Sequence, residues 1–131
     1  MSRENVELAR RAYDAFNRRD LDAFLALTHD DVVVESRLVA MEGGYRGLEG
    51  MRRWWNDLLE ILPDYTVEPE EVRDLGEVTL VHLHARGRGA ASDTPLVEAV
   101  WNAIRWRDGK CIWWRNFPTE VEAREAIGDA E

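Results

Sequence analysis

Val78-Thr-Leu-Val-His-Leu-His-Ala-Arg86 sets His82, His84 and Arg86 at every second position, with Thr79, Val81, Leu83 and Ala85 between them. Strict alternation marks a β-strand, in which side chains i and i+2 leave the same face about 6.5 to 7 Å apart. Three hydrogen-bonding groups therefore form a row opposite an apolar row. If the polar row lines an enclosed cavity rather than meeting water, it is a candidate site.

Strand signals continue on either side of this stretch. After Pro63 the pattern predicts strands over Tyr65 to Asp74, Glu77 to Arg88, Pro95 to Arg107 and Lys110 to Phe117. Leu75-Gly76 and Asp108-Gly109 suit tight hairpins, whereas residues 87–94 suit a longer connection. The first half is helical. Ser2 is placed to cap a helix with an apolar stripe from Val6 to Phe16, interrupted at Asn17-Arg-Arg-Asp20. Asp20 then caps a short second helix. Val32 to Ser36 is β-branched enough for a strand, residues 42–47 read as a turn-rich loop, and Leu48 to Leu62 fits a third helix stopped by Pro63. Thr119 caps a last short helix. Helices followed by a run of antiparallel strands make an α+β domain, with helices on one face of a bent sheet.

At 131 residues the chain is expected to form one domain, residues 1–131. Its 26 acidic and 17 basic residues give a formal net charge of −9, which argues against binding to phosphate backbones. No long apolar segment points to a membrane. The single Cys111 allows no internal disulfide, and with no signal-like N-terminus the expected location is the cytoplasm. Six tryptophans, at 54, 55, 101, 106, 113 and 114, suit pocket walls and interfaces as well as packing.

Four stretches, in this order and spacing, resemble the nuclear transport factor 2-like superfamily, more narrowly its SnoaL-like polyketide cyclase and ketosteroid isomerase-related group. They are Arg11-Ala-Tyr-Asp-Ala-Phe-Asn-Arg-Arg-Asp-Leu-Asp22, Asp30-Asp-Val-Val-Val-Glu35, Tyr45-Arg-Gly47 before the helix of Trp54-Trp55, and Ile104-Arg-Trp-Arg-Asp-Gly-Lys110. The resemblance implies a cone-shaped curved sheet packed on three helices, a deep pocket on its concave side, and a homodimer through the outer sheet face. It turns Leu80, His82, His84 and Arg86 inward, together with Glu98, Val100, Asn102, Ile104, Trp106, Trp114 and Asn116. Val81, Leu83, Ala85, Ala99, Trp101, Ala103, Trp113 and Arg115 then face outward. One bulge would reverse the faces of the last strand.

Residue roles follow from the same resemblance. Tyr13 falls at the oxyanion-binding tyrosine of the ketosteroid isomerases and Asn102 at their oxyanion aspartate, where an amide still donates a hydrogen bond. Ser36 falls at the proton-moving aspartate, and an unactivated serine hydroxyl is no general base. His82 or His84 is the candidate base instead. Scytalone dehydratases use histidines and an asparagine in a similar way, although their helix tyrosine and aspartate fall here at Phe16 and Asn17. Arg86 with Glu98 imitates part of the charged cluster of limonene epoxide hydrolases, or forms an ion pair across the strands. Trp54, Trp106, Trp114, Asn116 and Ser36 complete the expected ligand-binding set. Two histidines without a third ligand at suitable spacing give no expected metal, and no cofactor is implied. The expected ligand is a small, partly apolar organic molecule. The activity is either proton transfer next to a carbonyl, as in an isomerase, dehydratase or cyclase, or binding and dimerisation without catalysis.

Overall fold

The computed structural model describes residues 2–36, 44–88 and 95–128, the side chains of residues 2 and 95–98 excepted. Helix α1 (Ser2–Asn17) buries Ala9, Tyr13 and Phe16, spaced four and three apart along one stripe. Ser2 is the first helical residue rather than the cap before it. The break after α1 fastens the helix end to the strands. Arg19, at φ 60°, donates to the carbonyl oxygens of Phe16, Pro63 and Tyr65. Asn17 both donates to the Val67 carbonyl at 2.7 Å and accepts the Val67 N–H at 3.0 Å, closing a stretch of sheet edge as a neighbouring strand would.

Helix α2 (Leu21–Ala26) is capped by Asp20, whose carboxylate accepts the Ala23 N–H at 3.1 Å. Strand β1 (Thr28–Glu35) starts four residues earlier than its apolar run, because Thr28 pairs with Cys111 and the Cys111 N–H donates to the Leu27 carbonyl. Strand β2 (Tyr45–Arg46) lies within the expected loop. Two residues show no periodicity, and pairing with Val33 and Val34 defines the strand. Residues 37–43 and 89–94, parts of the two expected connections, lie outside the described residues. Helix α3 (Gly47–Ile61) buries Met51, Trp54, Trp55 and Leu58 and ends just before Pro63. Strands β3 (Thr66–Asp74), β4 (Val78–Arg88), β5 (Pro95–Arg107) and β6 (Lys110–Phe117) fall where the pattern predicts them, and α4 (Glu120–Ala126) is capped by Thr119.

The fold is α+β: a six-stranded curved sheet in the order β2-β1-β6-β5-β4-β3, with β1 parallel to β6 and the other pairs antiparallel. The main core fills the inner face, against α1 and α3. On the outer face, Val78, Leu80, Ala103 and Phe117 pack with Ala123 of α4, so the fourth helix does not share the side of the other three.

Strand register corrects the expected direction of β4. Val81 lies opposite Asn102, Leu83 opposite Val100 and Ala85 opposite Glu98, while His82 lies opposite Trp101 and His84 opposite Ala99. Residues directly opposite share a face, so Val81, Leu83 and Ala85 turn into the core and are buried. Leu80 joins the outer cluster, and His82, His84 and Arg86 follow it outward. The cause is simple: burying the apolar row gains hydrophobic free energy, whereas burying two imidazoles and a guanidinium would demand a partner for every polar atom. The feared bulge is present in β6. Arg105 pairs with Trp113 and Trp106 with Cys111, leaving Ile112 as the extra residue. Beyond it Trp114 and Asn116 face inward, as expected; before it Cys111 does as well.

Candidate functional site

Between the inner sheet face and helices α1 to α3 lies a cavity of about 70 Å³, equal to the liquid volume of about two waters. Its wall is mostly aromatic and aliphatic: Phe16, Phe24, Met51, Trp54, Leu58, Leu83, Val100, Ile104, Trp106 and Trp114 among others. Phe16, Phe24, Trp54 and Trp114 brace one another. Trp54 stacks on Phe24 at 6.0 Å between centroids and meets Trp114 edge-on at 4.9 Å. The Trp106 indole N–H donates to the buried Thr79 hydroxyl at 3.0 Å, which leaves its ring as plain wall.

One pole of the cavity is polar. Asn116 Nδ2 donates to Asn102 Oδ1, and Asn102 Nδ2 donates to the Tyr13 hydroxyl oxygen at 3.0 Å. Each link orients the next, so the Tyr13 O–H is left as the outgoing donor and is polarised by the chain behind it. Burial pushes the Tyr13 phenol well above its ordinary range, and it stays neutral at any physiological pH. Cys111, also on the wall, is pushed up to about 12 by burial and stays a thiol, its Sγ 3.7 Å from the Trp113 carbonyl. Ser36 lines the same pole.

No Asp, Glu, His, Lys or Arg lines the cavity among the described residues. The site as expected from sequence therefore divides. Tyr13, Asn102, Ser36, Trp54, Trp106, Trp114 and Asn116 come together around the cavity; His82, His84 and Arg86 do not. His82 stacks on Trp101 at 4.4 Å and 14° on the outer face, and His84 Nδ1 sits 2.7 Å from Glu70. Arg73 covers the same Trp101 at 5.4 Å while pairing with Glu71 and Glu120. The Glu71 carboxyl, hydrogen-bonded by Arg73, is held below the usual carboxylate range. Arg86 is exposed, and in register it faces Val97 rather than Glu98, whose side chain lies outside the described residues. Among the described residues no cluster of three His, Cys, Asp or Glu is placed to hold a metal, and no helix is long and apolar enough to cross a membrane.

A second depression, an open groove of about 380 Å³, is lined by Glu35, Ser36, Arg115, Asn116, Phe117, Pro118 and Glu122. Ser36 and Asn116 belong to both, so the polar pole of the inner cavity adjoins the groove. Sequence reasoning missed Thr79, Phe24 and Cys111. Thr79 carries a usable signal, since a threonine in the apolar row of β4 needs a partner for its hydroxyl. Phe24 and Cys111 carry none, because plain core residues look the same.

A curved sheet closed by three helices around an apolar chamber with one polar pole defines a cone-shaped small-molecule-pocket class of α+β proteins. The chain belongs to the SnoaL-like domain family, whose sequence profile matches residues 9–114. Solved structures agree on the fold. A nuclear transport factor 2-like protein from Burkholderia pseudomallei superposes with TM-score 0.79 at 18% identity, over 95% of this chain and 97% of that one. A protein named as a SnoaL-like polyketide cyclase, from Jannaschia sp. CCS1, gives 0.78 at 19% identity, over 99% and 94%. A protein of ketosteroid isomerase-like fold from Catenulispora acidiphila, crystallised with trimethylamine, gives 0.77 at 13% identity, over 93% and 92%. A comparison with curated protein sequences finds no match.

Proposed function

We propose that the chain binds a neutral, largely apolar organic molecule in the inner cavity and holds its carbonyl oxygen on the Tyr13 hydroxyl. The observation that carries this reading is the one-way chain Asn116 to Asn102 to Tyr13, which ends in a donor at the pole of an apolar chamber. Neutrality of the ligand follows from a wall without charged side chains among the described residues, since a buried ion needs a partner. The chamber has about half the volume of the ~150 Å³ apolar cavity that takes benzene. A one-ring ligand therefore displaces wall side chains or reaches past Ser36 and Asn116 into the groove.

The second reading is proton transfer next to that carbonyl, by an isomerase, dehydratase or cyclase. Tyr13 and Asn102 favour it, because a donor at this place would also steady an enolate. The outward histidines speak against it, since no other described wall residue is suited to take the proton at neutral pH. Acetophenone labelled with ¹³C at the carbonyl tests both. Binding should move the carbonyl resonance downfield, Tyr13→Phe should abolish that shift and weaken binding by about three- to tenfold, and His82→Ala and His84→Ala should bind as the parent does. A carbonyl shift indifferent to Tyr13→Phe would overturn the reading. Methyl deuteration in D₂O faster than in buffer, and lost in Tyr13→Phe, would favour the enzyme.

The outer sheet face is assigned to a second copy of the chain, within a cytoplasmic homodimer. Half-buried Trp101 and Trp113 lie there among cations (Arg73, Arg105, Arg115) and anions (Glu35, Glu70, Glu71), so two copies related by a two-fold axis would set opposite charges together. A reducing compartment suits the lone Cys111 thiol.

A further inference from the structure

The open groove between the ends of β1 and β6 and the first turn of α4 shares two wall residues with the inner cavity, Ser36 and Asn116. Both are half-buried, whereas Tyr13 and Asn102 behind them are buried, so exposure rises along the hydrogen-bonded chain from cavity to groove. The two spaces differ in size. By proportion with the ~150 Å³ cavity that takes the six carbons of benzene, about 70 Å³ takes about three carbons. The groove, at about 380 Å³, has room for a ring.

They also differ in chemistry. The described cavity wall carries no charged side chain, while the groove carries Glu35, Arg115 and Glu122. Glu35 Oε2 accepts the Trp113 N–H at 3.2 Å and stands 3.9 Å from Arg115 Nη1; Glu122 Oε2 accepts the Thr119 hydroxyl at 3.2 Å. Each carboxylate thereby engages one oxygen and keeps the other for a further donor. The Arg115 guanidinium lies over the Phe117 ring at 4.9 Å. An alkyl group laid on these ions would strip their water and replace none of its hydrogen bonds, whereas a hydroxyl both donates to a carboxylate and accepts from a guanidinium.

We propose that the groove is a second subsite and that the ligand is an unsymmetrical ketone, with a short apolar arm of about three carbons in the cavity and a longer, hydroxyl-bearing arm that passes Ser36 and Asn116 into the groove. The inference rests on the reading of Tyr13 as the carbonyl donor, and it gives that ligand a direction and a polar half.

The test titrates matched ketones into the full chain. 4-(4-Hydroxyphenyl)butan-2-one should bind about three- to tenfold tighter than its 4-methylphenyl counterpart, in which a methyl replaces the hydroxyl. Replacing its methyl arm by propyl should tighten binding about tenfold, and a heptyl arm should bind more weakly than propyl. Glu122→Trp, which sets a ring into the groove from an exposed position of α4, should abolish the hydroxyl advantage while pentan-2-one binds unchanged. In the parent protein the aryl protons should show nuclear Overhauser contacts with Pro118 and the short-arm methyl with Ile104 and Trp114, a readout that needs no substitution. A methylphenyl ketone that binds as tightly, a heptyl arm that beats propyl, or aryl protons against Ile104 instead of Pro118 overturns the second subsite. Binding of pentan-2-one that ignores Tyr13→Phe overturns the carbonyl-pole reading instead.

Discussion

At Asn102 two hydrogen bonds of opposite sense meet: its oxygen accepts from Asn116 and its amide donates to Tyr13. An amide side chain serves both in this order without carrying charge. Asn102→Leu keeps the volume and removes both bonds, leaving the Tyr13 oxygen without its donor, and should cost about 1–3 kcal/mol in urea unfolding. It should also weaken acetophenone binding, because Tyr13 loses the group that orients it. Cys111 offers a pH test. Its thiol rises from 9.0 to about 12 on folding, so below pH 9 it is protonated in both states and its contribution is complete. Above pH 9 the unfolded chain ionises first and stability falls as pH rises, by about 1 kcal/mol near pH 10. Urea unfolding at pH 8 and pH 10 should show that loss in the parent and a smaller one in Cys111→Ala. The Tyr13 phenol, raised by burial, adds a loss of the same sign at still higher pH.

Among the elements, the β2 to α3 corner brings backbone close against backbone. A Cβ at Gly50 would stand 2.9 Å from the Tyr45 carbonyl carbon and 3.4 Å from its Cα. Alanine is the better helix former by about 1 kcal/mol, yet forcing it here strains packed backbone at about 1–3 kcal/mol. Gly50→Ala should therefore lower the thermal midpoint; a rise would mean that α3 can slide off β2. The elements also show what periodicity does and does not contain. Helix α3 and strands β3 to β6 were legible because their apolar spacing, Pro63 and the Asp108-Gly109 turn all agree. Strand β2 was not, since two residues carry no pattern, and the early start of β1 was not, since it depends on pairing with Cys111. The face of β4 was misjudged for a definite reason: the connection to β5 is long, so no tight turn fixes their register, and the polar row was aimed at the cavity instead of at water.

At the scale of the whole molecule, the outer sheet face sets half-buried Trp101 and Trp113 beside charged side chains, and the proposed dimer forms there. Ala99 is exposed there, in register with His84 and away from the cavity. Ala99→Arg adds a bulky charge at the assigned interface without entering the core. Sedimentation equilibrium should give a dimer for the parent and a monomer for Ala99→Arg, with unchanged circular dichroism and unchanged acetophenone binding. A parent that sediments as a monomer at all concentrations would remove the dimer.

The sequence by itself determined the α+β order, because caps, turns and apolar spacing are local properties, and its resemblance to the SnoaL-like group implied that Asn102, Trp106, Trp114 and Asn116 face inward. Only the tertiary structure decided that His82 and His84 stand outside and that Asn102 joins Tyr13 to Asn116. Those facts depend on which residues meet across strands and helices far apart in the chain: pairing of β4 with β5 turns the histidines outward by burying the apolar row, and pairing of β5 with β6 sets Asn102 opposite Asn116.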